Sequence, residues 1–450
     1  MLLAAMSPPR AYHLPRTCNS PTKSHTFNGV ELQIASPTAK HWKHIAQTLL
    51  AARDRLRRRN RDDVLAALQR AFDLWHQPDS PWRRIAERAL PAVSGFSAQM
   101  VRHGLPKVLA PLRHDSIREL LDRELPVGAQ RTPISPQLIA HVLSGNIPGL
   151  GAIATHLSLA IGSAAILKTA MGDPLSTAVW AGTIAEADPE LGDCLAVTYW
   201  PGGDEVEDVV FEAAELVVAS GADEAVASIA KRARGRVCGH GHRISFAAIS
   251  RECLADASNA DSLARALARD ITLWDQQGCL SPQVCYVEDN GSIGPLKFAE
   301  MVAEALTGDA VELPPRRLSL DEQAAVMRFR QEAEWGTESS LLASTGSTAW
   351  SIAVEYRANL RPTCLNRCIR LQIVPQLEHI APVLAEQRSI LAAAGIAARA
   401  PRRQQLATLL GECGVHRVCS IGKMQEPPLT WCQDGRQRVG DWVQWLEVED

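Results

Sequence analysis

The 450 residues, 46% hydrophobic and 22% charged with 29 Gly and 27 Pro, have the make-up of an ordinary globular chain long enough for two or three domains, which excludes a disordered, fibrous or disulfide-stapled miniature protein. Lys and Arg total 47 against 50 Asp and Glu, and a formal charge of -3 supplies no broad positive field for a phosphate backbone, so nucleic acid is not expected as a partner. The 11 cysteines are odd in number and never at C-x-x-C spacing, the pattern of reduced thiols in a cytoplasmic protein rather than of a disulfide framework or metal site, and it leaves a thiol free for chemistry.

At the amino end, Met1 to Met6 is too short for a signal sequence and has no basic residue ahead of it, so no targeting segment is expected. Residues 1–40, rich in Pro, Ser, Thr and Asn, read as a loose tail. From Ala39 to about Leu121 the periodicity is helical, with Leu65, Leu68, Phe72 and Trp75 on one face. Arg53, Arg55, Arg57, Arg58, Arg59 and Arg61 crowd the middle of this region. Asp54, Asp62 and Asp63 interleave with them, which favours a solvated helix face over a phosphate-binding patch.

Thr132 to Leu167 contains no Asp, Glu, Lys or Arg and exceeds the ~20 apolar residues that cross a bilayer. Gly145, Asn146, Pro148, Gly149 and Gly151 interrupt it, however, and His141 and His156 would need partners in lipid. A buried α/β unit, whose strands are covered on both faces and read as unbroken apolar runs, fits better, and no transmembrane segment is expected. The pattern then gives a strand at Leu138 to Leu143, a loop at Ser144 to Gly151, a helix at Ala152 to Ser163 and a strand at Ala164 to Lys168. Leu216 to Ser220 is a further strand, Gly221 turns the chain, and Ala222 to Arg234 is a helix ended by Gly235. Ser262 to Gln276 is a helix with Leu263, Leu267, Ile271 and Trp274 on one face and Gly278 as terminator, followed by a strand at Val284 to Val287. Beyond Pro375, a helix at Ile380 to Ala394 alternates with short strands such as Val415 to Ile421.

Two features bear on chemistry. Gly149-Leu-Gly151-Ala-Ile-Ala154 matches G-x-G-x-x-A, but five residues separate it from the strand before it, and Asp173 is the one acid near the spacing a ribose ligand needs. It therefore reads as a decoy. Cys279 sits in Gly278-Cys279-Leu280-Ser281-Pro282, a loop between a helix and a strand, where a thiolate is held for nucleophilic attack; a small packed cysteine is the alternative, and spacing does not choose.

Four motifs in order do choose. Ser144-Gly-Asn-Ile-Pro-Gly149, Tyr199-Trp-Pro-Gly-Gly-Asp204, Gly241-His-Arg-Ile-Ser-Phe246 and Asp275-Gln-Gln-Gly-Cys-Leu-Ser-Pro-Gln283 together resemble the long-chain acyl-CoA reductase subunit of bacterial fatty acid reductase complexes, a divergent branch of the aldehyde dehydrogenase superfamily. The likeness continues through Arg367 to Val374 and Leu429 to Glu449 and so covers residues 40–450. It implies an α/β, aldehyde dehydrogenase-like fold: an N-terminal helical segment (41–125), a Rossmann-like NADP-binding domain (126–243), an α/β catalytic domain (244–432) and a C-terminal extension (433–450).

The resemblance also implies a mechanism. Cys279 attacks a fatty acyl thioester and is acylated, hydride from a nicotinamide cofactor reduces the acyl group to a thiohemiacetal, and collapse releases a fatty aldehyde. Asn146 matches the superfamily's oxyanion amide, with the Cys279 N–H beside it; a turn residue ahead of Pro148 is its bland alternative. Lys168 ends its strand where the superfamily holds the adenosine ribose, against the alternative of a solvated strand end. Met171 stands where hydrolytic relatives often carry an acid, which favours NADPH over NADH. Gly221 and Ala222 match the turn under the pyrophosphate, and Gly202 and Gly203 a backbone loop near the cofactor; simple turns are the alternative for both pairs. Cys238 to Arg243 lacks the Glu that activates a deacylating water, so reduction outruns hydrolysis. His242 stands between a proton shuttle and a hydrogen-bonded structural histidine. Ser245 replaces an expected Gly, and Gln433 a His. The implied partners are a fatty acyl-CoA or an acylated synthetase or carrier protein, and an acyl-protein synthetase subunit; a homo-oligomer is expected. A CoA-acylating aldehyde dehydrogenase for short chains, and an acyl-holding subunit that reduces nothing, remain as rivals.

Overall fold

Apolar patterning resolves into two α/β units in the computed structural model, which describes residues 8–126, 128 and 131–449. The first unit runs to Gly241 and takes back Pro428–Trp431 and the chain from Arg436 onward; the second holds His242–Pro427 and Cys432–Gly435. The helical segment, and the C-terminal extension from Arg436 onward, thus fall within the first unit, and the second begins at His242.

The expected loose tail is a correction. Residues 1–7 lie outside the described residues, but β1 (Thr22–Phe27) and β2 (Val30–Ala35) form an antiparallel hairpin. Asn28 and Gly29 supply its turn at φ 48° and 80°, the backbone that Asn-Gly favours in a two-residue hairpin. Phe27, Leu32 and Ile34 are buried, and the His13 and Val197 backbones exchange hydrogen bonds of 2.9 and 2.7 Å. The polar composition concealed an alternating strand pair.

Five helices follow: α1 (Ala39–Leu56), α2 (Arg61–His76), α3 (Pro81–Ser94), α4 (Ala98–Leu109) and α5 (His114–Glu124). Thr38, Asn60, Ser80 and Ser97 cap the first four by accepting backbone N–H bonds through their side chains. Leu65, Leu68 and Trp75 are buried along α2. Of the arginine cluster, Arg53 is buried and Arg59 lies 2.9 Å from Asp188, so only part of it is a solvated face.

The uncharged stretch becomes β3 (Arg131–Ile134), β4 (Leu138–Val142), α6 (Leu150–Ala160) and most of β5 (Ala164–Thr169). Then come α7 (Ser176–Ala187), α8 (Pro189–Gly192), β6 (Leu195–Tyr199), α9 (Val206–Ala213), β7 (Leu216–Ser220), α10 (Asp223–Arg232) and β8 (Arg236–His240). β3 pairs antiparallel with the C-terminal strand Gln444–Glu447. The other five form a parallel sheet in the order β6-β5-β4-β7-β8, in which chain direction across the sheet reverses between β4 and β7. In open α/β sheets that reversal opens a ligand crevice at the carboxyl ends of the strands. Among the described residues no helix is long and apolar enough to cross a membrane.

The second unit runs β9 (Ile244–Ile249), α11 (Ala257–Thr272), β10 (Pro282–Glu288), α12 (Pro295–Glu312), α13 (Leu320–Trp335), β11 (Ser339–Ala343), β12 (Ser351–Glu355), β13 (Cys368–Val374), α14 (Ala381–Glu386), β14 (Leu391–Ala397), α15 (Arg402–Glu412) and β15 (Arg417–Cys419). Its seven strands lie in the order β11-β12-β13-β10-β9-β14-β15, with β11 the antiparallel edge. Ala264, Leu267, Ile271 and Phe298 from α11 and α12 cover one face, and Leu384, Leu406 and Leu410 from α14 and α15 the other. Two expected helices change. The first stops at Thr272, because Trp274 to Gln276 are left-handed. The second is helical over Ala381–Glu386, while Leu391–Ala397 is a strand buried throughout: tertiary burial overrides the helical preference of its alanines.

Candidate active site

Asn146, Lys168, Gly202, Gly203, Gly221 and Ala222 all lie at the carboxyl end of the first unit's parallel sheet. The turn after β4 carries Asn146 and is pressed against the turn after β5: a Cβ on Gly145 would sit 2.8 Å from the Ala170 Cβ and 2.9 Å from the Gly172 nitrogen. Gly149, at φ 92°, begins α6, and its N–H is taken by Asp173 Oδ2 at 3.2 Å and Ser176 Oγ at 2.9 Å. A Cβ on Gly151 would meet Thr177 Oγ1 at 2.0 Å. These glycines serve helix packing. Asp173 is buried, which pushes its carboxyl up, and it is committed to Gly149 and Ser176, so the glycine pattern is the decoy it looked like.

Lys168, at the end of β5, is not a solvated strand end. Its Nζ lies 3.2 Å from Oε1 of the buried Glu207, and its side chain is 13% exposed. Glu207 also accepts from the Gly203 N–H at 2.9 Å, Trp200 Nε1 at 3.2 Å and Arg232 at 2.6 Å. Gly203 stands at φ 79°, and a Cβ on Gly202 would lie 3.9 Å from the Lys168 Nζ. One carboxylate thus ties Lys168 to the glycine turn after β6. Sequence reading missed Glu207; its signal was an acid in the first turn of a helix directly after Gly-Gly.

The Gly221 N–H donates to the His240 carbonyl at 3.1 Å, and Ala222 caps α10 with backbone alone. Asp223 and Glu224 occupy the first turn of α10, which weakens that helix end as an anion site. At the carboxyl ends of β5 and β6 the residues present fit a dinucleotide: the Lys168 ammonium, the open glycine turn and the exposed Met171 leave a cation and room there. Gly221 and Ala222 carry no charged side chain.

In the second unit, Cys279 alone among the eleven cysteines is exposed; Cys364, Cys419 and Cys432 are half-buried and the other seven buried. Burial pushes the Cys194 thiol up to about 12 and raises Cys285 further, so those thiols stay protonated and inert. The Cys279 loop is held from several sides. Ser245, buried in β9, donates through Oγ to the Cys279 carbonyl at 2.7 Å and accepts the Ala393 N–H at 3.2 Å. The Ser281 N–H returns to the Gly278 carbonyl at 3.0 Å, and Gln425 Nε2 donates to the Ser281 hydroxyl. The serine found in place of an expected glycine is therefore the residue that fixes the carbonyl of the cysteine. His242 is exposed at the entry to β9, and its carbonyl accepts from Arg243 at 2.8 Å; Arg243 in turn pairs with Asp434 at 3.0 Å.

A family model described as acyl-CoA reductase (LuxC) matches residues 56–445. The chain belongs to that family. This acyl-CoA reductase family member is 24% identical to the long-chain acyl-protein thioester reductase of Aliivibrio fischeri over 73% of this chain and 71% of that protein. It shares its fold with gamma-glutamyl-gamma-aminobutyraldehyde dehydrogenase from Burkholderia cenocepacia J2315 (TM-score 0.77, 14% identity, covering 99% of this chain and 97% of that one). The NADP-dependent glyceraldehyde-3-phosphate dehydrogenase from Bacillus halodurans C-125, complexed with NADP, is similar over 97% of both chains (TM-score 0.71, 14% identity). The aldehyde dehydrogenase-like α/β fold expected from the four motifs is borne out.

Proposed function

We propose that this acyl-CoA reductase family member reduces a long-chain acyl thioester, presented on CoA or on a protein, to the fatty aldehyde with NADPH, through an acyl-enzyme on Cys279. The exposure of that one cysteine, on a loop pinned at its own carbonyl, carries the reading. The Cys279 sulfur forms a bond to the acyl carbon, the bond to the carrier sulfur breaks, and the carrier thiol leaves with a proton. NADPH supplies hydride when bound. The thiohemiacetal then gives up its hydroxyl proton, its C–S bond breaks, and aldehyde and free Cys279 result.

Within this reading Asn146 and the Cys279 N–H are the donors to the oxyanion that develops in both steps. His242, exposed beside Arg243, carries the proton to the leaving thiol. Lys168 binds the adenosine ribose, with Glu207 and the turn of Gly202 and Gly203 setting its position and Gly221 and Ala222 leaving room for the pyrophosphate. Residues 238–243 offer no carboxylate to activate water, which favours reduction over hydrolysis.

An acyl-protein synthetase is the proposed source of the acyl group, in keeping with the acyl-protein thioester named for the relatives. A cytoplasmic location accords with eleven free cysteines. A homo-oligomer accords with the β3 ribbon, on which Ile134, Leu446 and Val448 remain 41%, 51% and 52% exposed. The test is aldehyde formation with NADPH or NADH over a panel of acyl donors. Long-chain donors with NADPH are expected to be the best substrates and Cys279→Ala to form no aldehyde; preference for short acyl-CoA, or acyl transfer without aldehyde, contradicts the reading.

A further inference from the structure

Directly before the Cys279 loop, Trp274, Asp275 and Gln276 stand at φ 56°, 48° and 65°, and a second run, Leu365, Asn366 and Arg367, stands at 57°, 55° and 60°. Residues with a Cβ avoid this left-handed region, and such backbone persists only where its surroundings over-determine it. Here the two runs hold one another. The fully buried Arg367 donates through Nε to Asp275 Oδ1 at 2.6 Å and through its terminal nitrogen to the Leu313 carbonyl at 2.7 Å, while Asp275 Oδ2 accepts the Arg316 N–H at 2.9 Å. Gln276 accepts the Cys368 N–H at 3.0 Å and donates to the Pro282 carbonyl, across the loop, at 2.7 Å. Gln277 donates to Asn366 Oδ1 at 3.0 Å, and Gln283, beyond the loop, accepts the Thr363 N–H at 2.9 Å. The loop is therefore fastened at its entry to the second strained run and at its exit to Thr363, two residues before that run.

Covalent catalysis sets a demand that such fastening meets. Attack on a carbonyl requires the sulfur in a near-attack position, and an error of about 1 Å can cost on the order of 100-fold in rate. A loop that is exposed at its tip does not hold that position by packing. We propose that Asp275, Gln276 and Gln277, with Arg367 and Asn366, are positioning residues that fix Cys279 for attack on the acyl carbonyl, acting through the loop. This rests on the acyl-enzyme reading above.

Removing Arg367 or Asp275 strands a buried charge, so the test uses the uncharged pair of the half-buried Gln277 and the buried Asn366. In the full chain, Gln277→Ala, Asn366→Ala and the double variant are mixed with a long-chain acyl-CoA in the absence of reductant, and acylation of Cys279 is timed by quenched mass spectrometry over a range of donor concentrations. Each alanine variant is expected to acylate about tenfold more slowly or worse with the half-saturating donor concentration unchanged, and the double no more slowly than the slower single. Single variants within about twofold of the parent, a loss carried by half-saturation, or fully multiplicative effects overturn the proposal. A parent that takes no label at Cys279 instead overturns the acyl-enzyme reading itself.

Discussion

Ser245 shows how much one side chain decides. A glycine there would leave the Cys279 carbonyl and the Ala393 N–H facing a gap; the serine hydroxyl satisfies both, donating to one and accepting from the other. Replacing it by alanine strands the buried Ala393 N–H, at a cost of about 1–3 kcal/mol when no partner takes over, and releases the Cys279 carbonyl. Ser245→Ala is expected to lower unfolding stability by about 2 kcal/mol and to slow acylation of Cys279. Denaturant titration beside single-turnover labelling checks this; a variant as stable and as fast as the parent contradicts it. Glu207 works similarly in the first unit, where one buried carboxylate gathers Lys168, Arg232 and the Gly203 N–H. Neither contact was legible in the sequence, because each joins residues that only sheet register or a helix turn brings together.

At the scale of elements, β4, β5 and β7 were readable because buried parallel strands are unbroken apolar runs closed by glycine or polar turns. β1 and β2 were not: their alternation lies among Thr, Ser, His and Gln, and only Asn28-Gly29 announced a hairpin. β14 reads Leu-Ala-Ala-Ala-Gly-Ile-Ala, a composition that favours helix until burial on both faces decides otherwise. The end of α11 was misplaced because Trp274 keeps helical spacing in the sequence but has φ 56° in the fold. At the candidate site, motifs pointed to Cys279 and Asn146. The pairing of Asp275 with Arg367 crosses a separation that no local pattern encodes.

Across the whole molecule, buried groups pull the response to acid in both directions, and four of them show how. His141 and His156 are buried, and burial lowers each from 6.5 to about 3. The unfolded chain binds their protons below 6.5 while the folded chain refuses them, so stability drains as pH falls from 6.5 toward 3. Glu288, held by Arg402 and Arg251, is drawn from 4.5 to about 2, and its contribution is lost as pH falls from 4.5 toward 2. Burial raises Asp270 from 3.8 to about 7 against the Gly422 and Met424 N–H groups, so its effect has the opposite sign: stability falls as pH rises from 3.8 toward 7. Burial raises Asp173, Asp275 and Asp309 in the same direction as Asp270, so the trends oppose one another and the test isolates one of them. The denaturation midpoint of Asp270→Asn, measured against that of the parent, is expected to fall on going from pH 6.5 to 4, because its neutral amide removes a contribution that grows as pH falls. A difference between the two midpoints that stays constant over this range contradicts the assignment.

If a single exposed sulfur carries the acyl group, peptide mass spectrometry finds it there. Full-length protein mixed with a long-chain acyl-CoA, without reductant, is digested and mapped. One acyl adduct is expected, on the peptide containing Cys279, sensitive to hydroxylamine and released as aldehyde once NADPH is added. An adduct on any other cysteine, or none at all, contradicts this expectation.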